Sequence, residues 1–126
     1  MAVIGIGTDL ASIPRVRRLL ERHGPRFRAR VFTPSECAAC DTRPDPAPHF
    51  AVRFAAKEAA LKAMGFGRTG ELRWTDAAVE RGTGQAPELR FSGALEARAT
   101  AAGVRKVHLS LSHDGDHALA FVVLES

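Results

Sequence analysis

The chain is 126 residues long, 45% hydrophobic and 25% charged, with a formal net charge of +4 and two cysteines. A chain of this length is expected to form one domain over residues 1–126, burying roughly 65% of its unfolded surface without covalent staples. No apolar run approaches the ~18 residues of a membrane span, and the opening strand lacks the basic prelude of a signal peptide, so a cytoplasmic, membrane-free chain is expected.

Residues 2–8 read as a short apolar strand ended by Asp9. Ser12 is placed to cap a helix with Pro14 in its first turn, running to about His23 before Gly24. Val16, Leu19 and Leu20 give that helix an apolar stripe. From Arg15 to Arg30 there are seven arginines (Arg15, Arg17, Arg18, Arg22, Arg26, Arg28, Arg30) and one acid, Glu21, a local charge of +6. A face this basic suits an acidic partner, and its being all arginine suits anion recognition. Thr33-Pro34-Ser35-Glu36 is a capping box opening a short helix. Cys37 and Cys40 form Cys-Ala-Ala-Cys without the strand context of a redox motif or the further ligands of a zinc site, so they read as ordinary thiols.

Pro44, Pro46 and Pro48 make residues 41–48 a loop. The alanine-rich stretch from about Phe50 to Met64 has no internal Gly or Pro and reads as a long helix stopped by Gly65. Gly65 to Gly70 reads as a mobile glycine-rich loop. Strands follow at about 73–81 and 88–91, joined around Gly82-Thr83-Gly84, and then a helix at 93–102 stopped by Gly103. Strands 105–112 and 117–124 flank Asp114-Gly115-Asp116, a hairpin signal. Val107, Leu109 and Leu111 alternate with His108, Ser110 and Ser112, so one face of that strand is buried. The pattern gives an α+β fold with antiparallel pairing.

Residues 53–65 carry the most chemistry. Glu58 and Lys62 are four apart and share one helix face, a carboxylate beside an ammonium. Asp9 and His113 add a second acid and an imidazole at strand ends. Such a set suits the handling of a phosphate through a divalent cation. Gly5-Ile6-Gly7 is not a dinucleotide fingerprint, because Leu10 stands where the third glycine belongs. Its glycines suit close backbone packing instead. His108 and His113 are five apart on a strand and point to opposite faces, which works against a zinc cluster with His117.

Three segments resemble the holo-acyl-carrier-protein synthase family, the small 4′-phosphopantetheinyl transferases. The opening pattern is Gly5-Ile-Gly-Thr-Asp9 with Arg15. The central helix is Arg53-Phe-Ala-Ala-Lys-Glu58-Ala-Ala-Leu-Lys62-Ala-Met-Gly65. The closing pattern is Ser110-Leu-Ser-His-Asp114 before the apolar strand Ala118–Leu124. All three stand in family order across the whole chain. One departure is Gly84-Gln85-Ala86-Pro87, with Gln85 in the place of a usual glycine, which bears on the adenosine contacts of that loop. Another is Pro14 just before Arg15.

The resemblance implies an antiparallel sheet packed against a long central helix. It implies transfer of 4′-phosphopantetheine from coenzyme A to a serine of an acyl carrier protein, releasing adenosine 3′,5′-bisphosphate. It places Mg2+ on Asp9 and Glu58, Lys62 on the phosphates, and Arg53, His113, Ser112 and Pro87 on coenzyme A. It leaves Asp114 either as an extra carboxylate near the metal or as a turn residue. Glu58, directly or through a water, is the candidate base for the carrier serine. Arg15, Arg22, Arg26 and Arg28 would dock the carrier's acidic helix, in fatty-acid or polyketide synthesis. The resemblance further implies a homotrimer, with Arg53 and His113 reaching the site from a neighbouring subunit. A nucleic-acid-binding module is the competing class, but it leaves Asp9 and Glu58 without a role and has only Phe27 and Phe32 near the arginines.

Overall fold

The structure is a computed structural model that describes residues 1–65, 71–82, 84 and 86–126. The elements in chain order are β1 (Val3–Ser12), α1 (Ile13–Val31), α2 (Pro34–Asp41), α3 (Ala47–Ala63), a 3₁₀ turn (Trp74–Asp76), β2 (Ala77–Arg81), β3 (Pro87–Phe91), α4 (Gly93–Ala101), β4 (Lys106–Asp114) and β5 (His117–Glu125). The expected glycine-rich loop falls mostly on residues 66–70, outside the described residues, as do Thr83 of the expected turn and Gln85.

The fold is the expected α+β arrangement. Strands β1, β5 and β4 form an antiparallel sheet in that spatial order, and β2 and β3 form a separate antiparallel pair. Helix α3 packs on one face of the three-stranded sheet. The register lines up Gly7, Val122 and Leu109 in one row and Asp9, Ala120 and Leu111 in the next. These rows belong to the inner face, where Ala118, Ala120, Val122 and Leu124 are fully buried against α3. The alternation in β4 is therefore as the sequence implies.

Small residues set the closeness of this layer. Helix α3 buries Ala51, Ala55, Ala56, Ala59, Ala60 and Ala63. A Cβ on Gly5 would overlap the carbonyl oxygen of Ala63, and one on Gly7 would overlap that of Ala59. Two residues along β1 thus match four along α3 in the reverse direction. The glycines let strand backbone rest on helix backbone, which is the close packing expected of them.

Several boundaries differ from the sequence reading, among them the start of α3 at Ala47, inside the expected 41–48 loop, where Pro48 sits in a first turn that needs no amide donor. Strand β1 does not end at Asp9 but continues to Ser12, because β5 supplies partners as far as His117. Ladder pairing outweighs the polar side chains of Thr8, Asp9 and Ser12. Helix α1 does not stop near His23 but runs to Val31 through a kink there (φ −132°, ψ 31°), two residues before Pro25. A proline near a new helix start supplies a suitable φ and lacks only a donor that has no helical partner there. Residues 73–76 are not strand but lead into and form the 3₁₀ turn. The Ser12 cap and the Thr33–Glu36 capping box are both present.

Candidate active site

Strand β1 crosses α3 so closely that side chains from both reach one flank of the helix. Lys62 Nζ donates to the Thr8 carbonyl at 3.1 Å and to Asp9 Oδ1 at 3.0 Å. Glu58 lies one turn before Lys62 on the same helix face, half-buried like Asp9. Helical side chains lean toward the N-terminus, so Lys62 reaches back over the level of Glu58. Asp9 and Glu58 offer hard oxygen donors from two rigid elements beside a main-chain carbonyl. That donor set fits Mg2+, which takes one or two carboxylates and fills its remaining positions with water and phosphate oxygens.

A second feature lies on the other flank of α3. It is a cleft of about 730 Å³ whose lining includes Arg43, His49, Arg53, Arg81, Pro87 and Leu111. Arg53 Nη1 donates to the His49 carbonyl at 3.0 Å, while its Nε is buried with no partner among the described residues. A buried donor left unsatisfied costs stability unless something fills it. The His49 ring meets the His113 ring edge-on, with centroids 5.9 Å apart. Burial first, then Arg43, Arg53 and His113, push the His49 imidazole below its usual value. Arg53, Pro87 and His113 thus gather at one place. Ser112 does not join them, because it pairs with Leu119 on the outer face of the sheet, opposite to His113.

The cleft walls are tied together by a buried ion pair. Lys57 Nζ donates to Glu36 Oε1 at 2.7 Å and to the Ala77 carbonyl at 2.5 Å. Glu36 Oε2 accepts from Val79 N–H at 2.9 Å, and its Oε1 accepts from Thr33 N–H at 3.0 Å. Both side chains are at most 1% exposed. Burial lowers the Lys57 pKa, and Glu36 works against that shift. One pair therefore joins α2, α3 and β2, each of which lends residues to the cleft.

The two features sit back to back. Arg53 and Lys62 are nine residues apart, which at 3.6 residues per turn puts them about 180° apart around α3. The helix, about 10 Å across, stands between the carboxylate flank and the cationic cleft.

The sequence model of the 4′-phosphopantetheinyl transferase superfamily matches residues 5–122 of this chain. The chain belongs to that superfamily. A holo-[acyl-carrier-protein] synthase of Anaeromyxobacter dehalogenans is 50% identical over 129 residues, covering 98% of this chain and 96% of its own. The crystal structure of the corresponding synthase from Neisseria meningitidis superposes with a TM-score of 0.89 at 36% identity, covering 99% of this chain and all of that one. The synthase of Helicobacter pylori in complex with coenzyme A gives 0.83 at 30% identity, over 95% of this chain and 99% of that one. The chain is accordingly a phosphopantetheinyl transferase by fold and by relatives.

In this transferase the arginines of α1 are not equivalent. Arg15, Arg22 and Arg26 are exposed. Arg28 is held by Asp41 through two hydrogen bonds of 3.0 and 2.5 Å and lies 5.1 Å from the Phe50 ring centroid. Arg17 is held likewise by Asp45. Phe32 is buried and Phe27 packs edge-on against it at 5.5 Å, so neither offers a stacking platform. Asp114 ends β4 at the hairpin turn. Burial pushes the Cys40 thiol up to about 11 and raises Cys37, away from reactive thiolates.

Sequence reasoning missed His49, Arg43, Arg81 and the Glu36–Lys57 pair. Lys57 carried a signal: it lies seven residues after Phe50 and four before Leu61, on the apolar stripe of α3. A lysine in that stripe needs a buried acid, and Glu36 was already marked by its capping box. His49, Arg43 and Arg81 are gathered by tertiary packing from three separate segments and carried no local signal.

Proposed function

We propose that this transferase moves 4′-phosphopantetheine from coenzyme A to a serine of an apo acyl carrier protein and releases adenosine 3′,5′-bisphosphate. The observation that carries this reading is α3 itself, with a carboxylate pair and lysine on one flank and a cationic cleft with an unsatisfied arginine donor on the other. A pyrophosphate bearing a nucleotide phosphate at one end needs both kinds of surface. The coenzyme A complex of the Helicobacter relative supports the ligand choice.

Asp9 and Glu58 would hold Mg2+, which when bound supplies positive charge to the pyrophosphate. Lys62 adds a fixed ammonium to the same oxygens, and its bond to Asp9 keeps it aimed. The carrier serine Oγ attacks the phosphorus that bears pantetheine. The bond from that phosphorus to the bridging oxygen breaks, and the bisphosphate leaves with the oxygen. Glu58 takes the serine proton directly or through a water. Arg53 and His113 bind the 3′-phosphate, and Pro87 flanks the adenosine; Ser112 is kept as a contact made from another copy.

We infer a homotrimer with sites shared between subunits. Two observations support association. The outer face of the sheet exposes Ile6, Leu10, Leu119 and Phe121, two of them more than 60% exposed, and contiguous apolar surface of this kind favours an interface. The two site halves face away from each other around α3, so a second copy can complete each one. The exposed Arg15, Arg22 and Arg26 form the carrier-docking face, with Arg28 fixed at its edge by Asp41. We also propose a cytoplasmic location and a single domain over residues 1–126.

The test is mass spectrometry of an apo carrier protein incubated with this protein, coenzyme A and Mg2+. A gain of one phosphopantetheine on the carrier serine, lost with chelator, is the expected result. An unchanged carrier mass with fatty-acid and polyketide carriers alike would overturn the reading.

A further inference from the structure

We propose that His49 pairs with His113 as a two-imidazole phosphate clamp, so that coenzyme A binding takes up a proton through His49. This rests on the reading of the cleft as the coenzyme A site. The resemblance assigns His113 to that ligand; nothing assigns His49, which enters from the first turn of α3.

The geometry gives His49 this position. Its ring sits edge-on to His113 at 5.9 Å and lines the same cleft as Arg53. Its carbonyl accepts from Arg53 Nη1, so the guanidinium is anchored to the same helical turn that carries the imidazole. The charged and titratable groups around it come from every neighbouring element. Arg43 and Asp45 stand on the segment between α2 and α3, Arg53 on α3, His113 on β4, and Glu80 and Arg81 at the end of β2. Cations outnumber acids among these residues, which disfavours a further positive charge while the cleft is empty.

A bound phosphate reverses that balance. Its negative charge offsets the arginines and accepts a hydrogen bond from either imidazole, and a charged donor makes the stronger bond. Burial and the flanking Arg43, Arg53 and His113 hold the His49 pKa below its usual value in the free protein. The free imidazole is therefore neutral at neutral pH, and the phosphate raises its pKa on binding. Affinity is then greatest at low pH and is lost as pH rises through the bound-state value. Between the free and bound values, one linked proton changes affinity by about tenfold per pH unit.

The test uses calorimetry on the intact protein with adenosine 3′,5′-bisphosphate, comparing the wild type with His49→Phe. Phenylalanine keeps an aromatic edge against His113 and removes the titratable nitrogens. Titrations run from about pH 6 to about pH 8.5, in buffers of differing ionisation enthalpy, to count protons. The wild type is expected to take up protons near neutrality and to weaken as pH rises. His49→Phe is expected to take up fewer, to show a flatter pH profile, and to fall furthest below wild-type affinity at the acidic end. Equal proton uptake and slope in the two proteins would overturn the clamp. A loss of affinity uniform across pH would overturn it too, as that marks a packing role alone. Absence of bisphosphate binding by the wild type at every pH would instead remove the coenzyme A reading of the cleft, and the clamp with it.

Discussion

The two flanks of α3 differ in how their charges are arranged. On the β1 flank, Lys62 and Asp9 pair at 3.0 Å in a partly exposed setting beside Glu58. On the cleft flank, arginines and histidines converge, with Arg53 Nε buried and unpaired among the described residues. The first flank is a compact set of opposite charges, held by helix spacing and two glycines. The second is an excess of like charge, held by a buried ion pair beneath it. A single helix can serve both because residues nine apart point in opposite directions. The contrast supports the proposal that a complete site draws surface from more than one copy of the chain.

The largest expected effect strikes the foundation under the cleft. Lys57→Ala leaves Glu36 buried without its cation, and breaking such a pair costs about 3–5 kcal/mol. Chemical denaturation should show a loss of that order. Near wild-type stability would mean that the pair does not brace the cleft flank. Next come Asp9→Ala and Glu58→Ala, which remove oxygen donors from the β1 flank. Each should reduce transfer by a hundredfold or more, on the order of 10²–10³ for one electrostatic group. Circular dichroism should show an unchanged fold. Transfer near the wild-type rate in either variant would separate that flank from the chemistry.

Arg53→Ala probes the other flank. A charged hydrogen bond is worth about 1.5–3 kcal/mol, or roughly 10- to 150-fold. The Michaelis constant for coenzyme A should rise within that range while that for the carrier changes little. A matching rise in both constants would show that the flanks do not divide their ligands. The smallest effect belongs to the docking arginines. The screening length falls from about 8 Å at 0.15 M salt to about 3 Å at 1 M. The carrier's Michaelis constant should therefore climb severalfold with salt, and further on charge reversal at Arg15 or Arg26. Insensitivity to all three changes would remove the docking face.

The β1 flank was the more legible of the two. Glu58 and Lys62 share a face by helix arithmetic, and Gly5 and Gly7 announce a close approach. The strand's course past Asp9 was not legible, because it depends on β5 offering ladder partners from the far end of the chain. The continuation of α1 past Gly24 and Pro25 was hidden by residues that ordinarily end helices; packing of Phe27 against Phe32 and Phe54 sustains it. The cleft was legible only at Arg53, Pro87 and His113, through resemblance. Its remaining cations come from segments that converge only after folding. Arithmetic sets Arg53 opposite Lys62, but which side meets β1 is decided by the glycine–alanine contact between β1 and α3.

The central claim is that the two flanks of different copies make one site. Co-expression of Asp9→Ala chains with Arg53→Ala chains, assayed at coenzyme A well below the raised Michaelis constant of Arg53→Ala, tests it most directly, once mixed oligomers are isolated by differential tags. In some mixed oligomers an intact β1 flank faces an intact cleft. Transfer activity should then exceed that of either variant alone and exceed their average. Mixed oligomers whose activity stays at that average would contradict the claim and assign both flanks to a site within one chain.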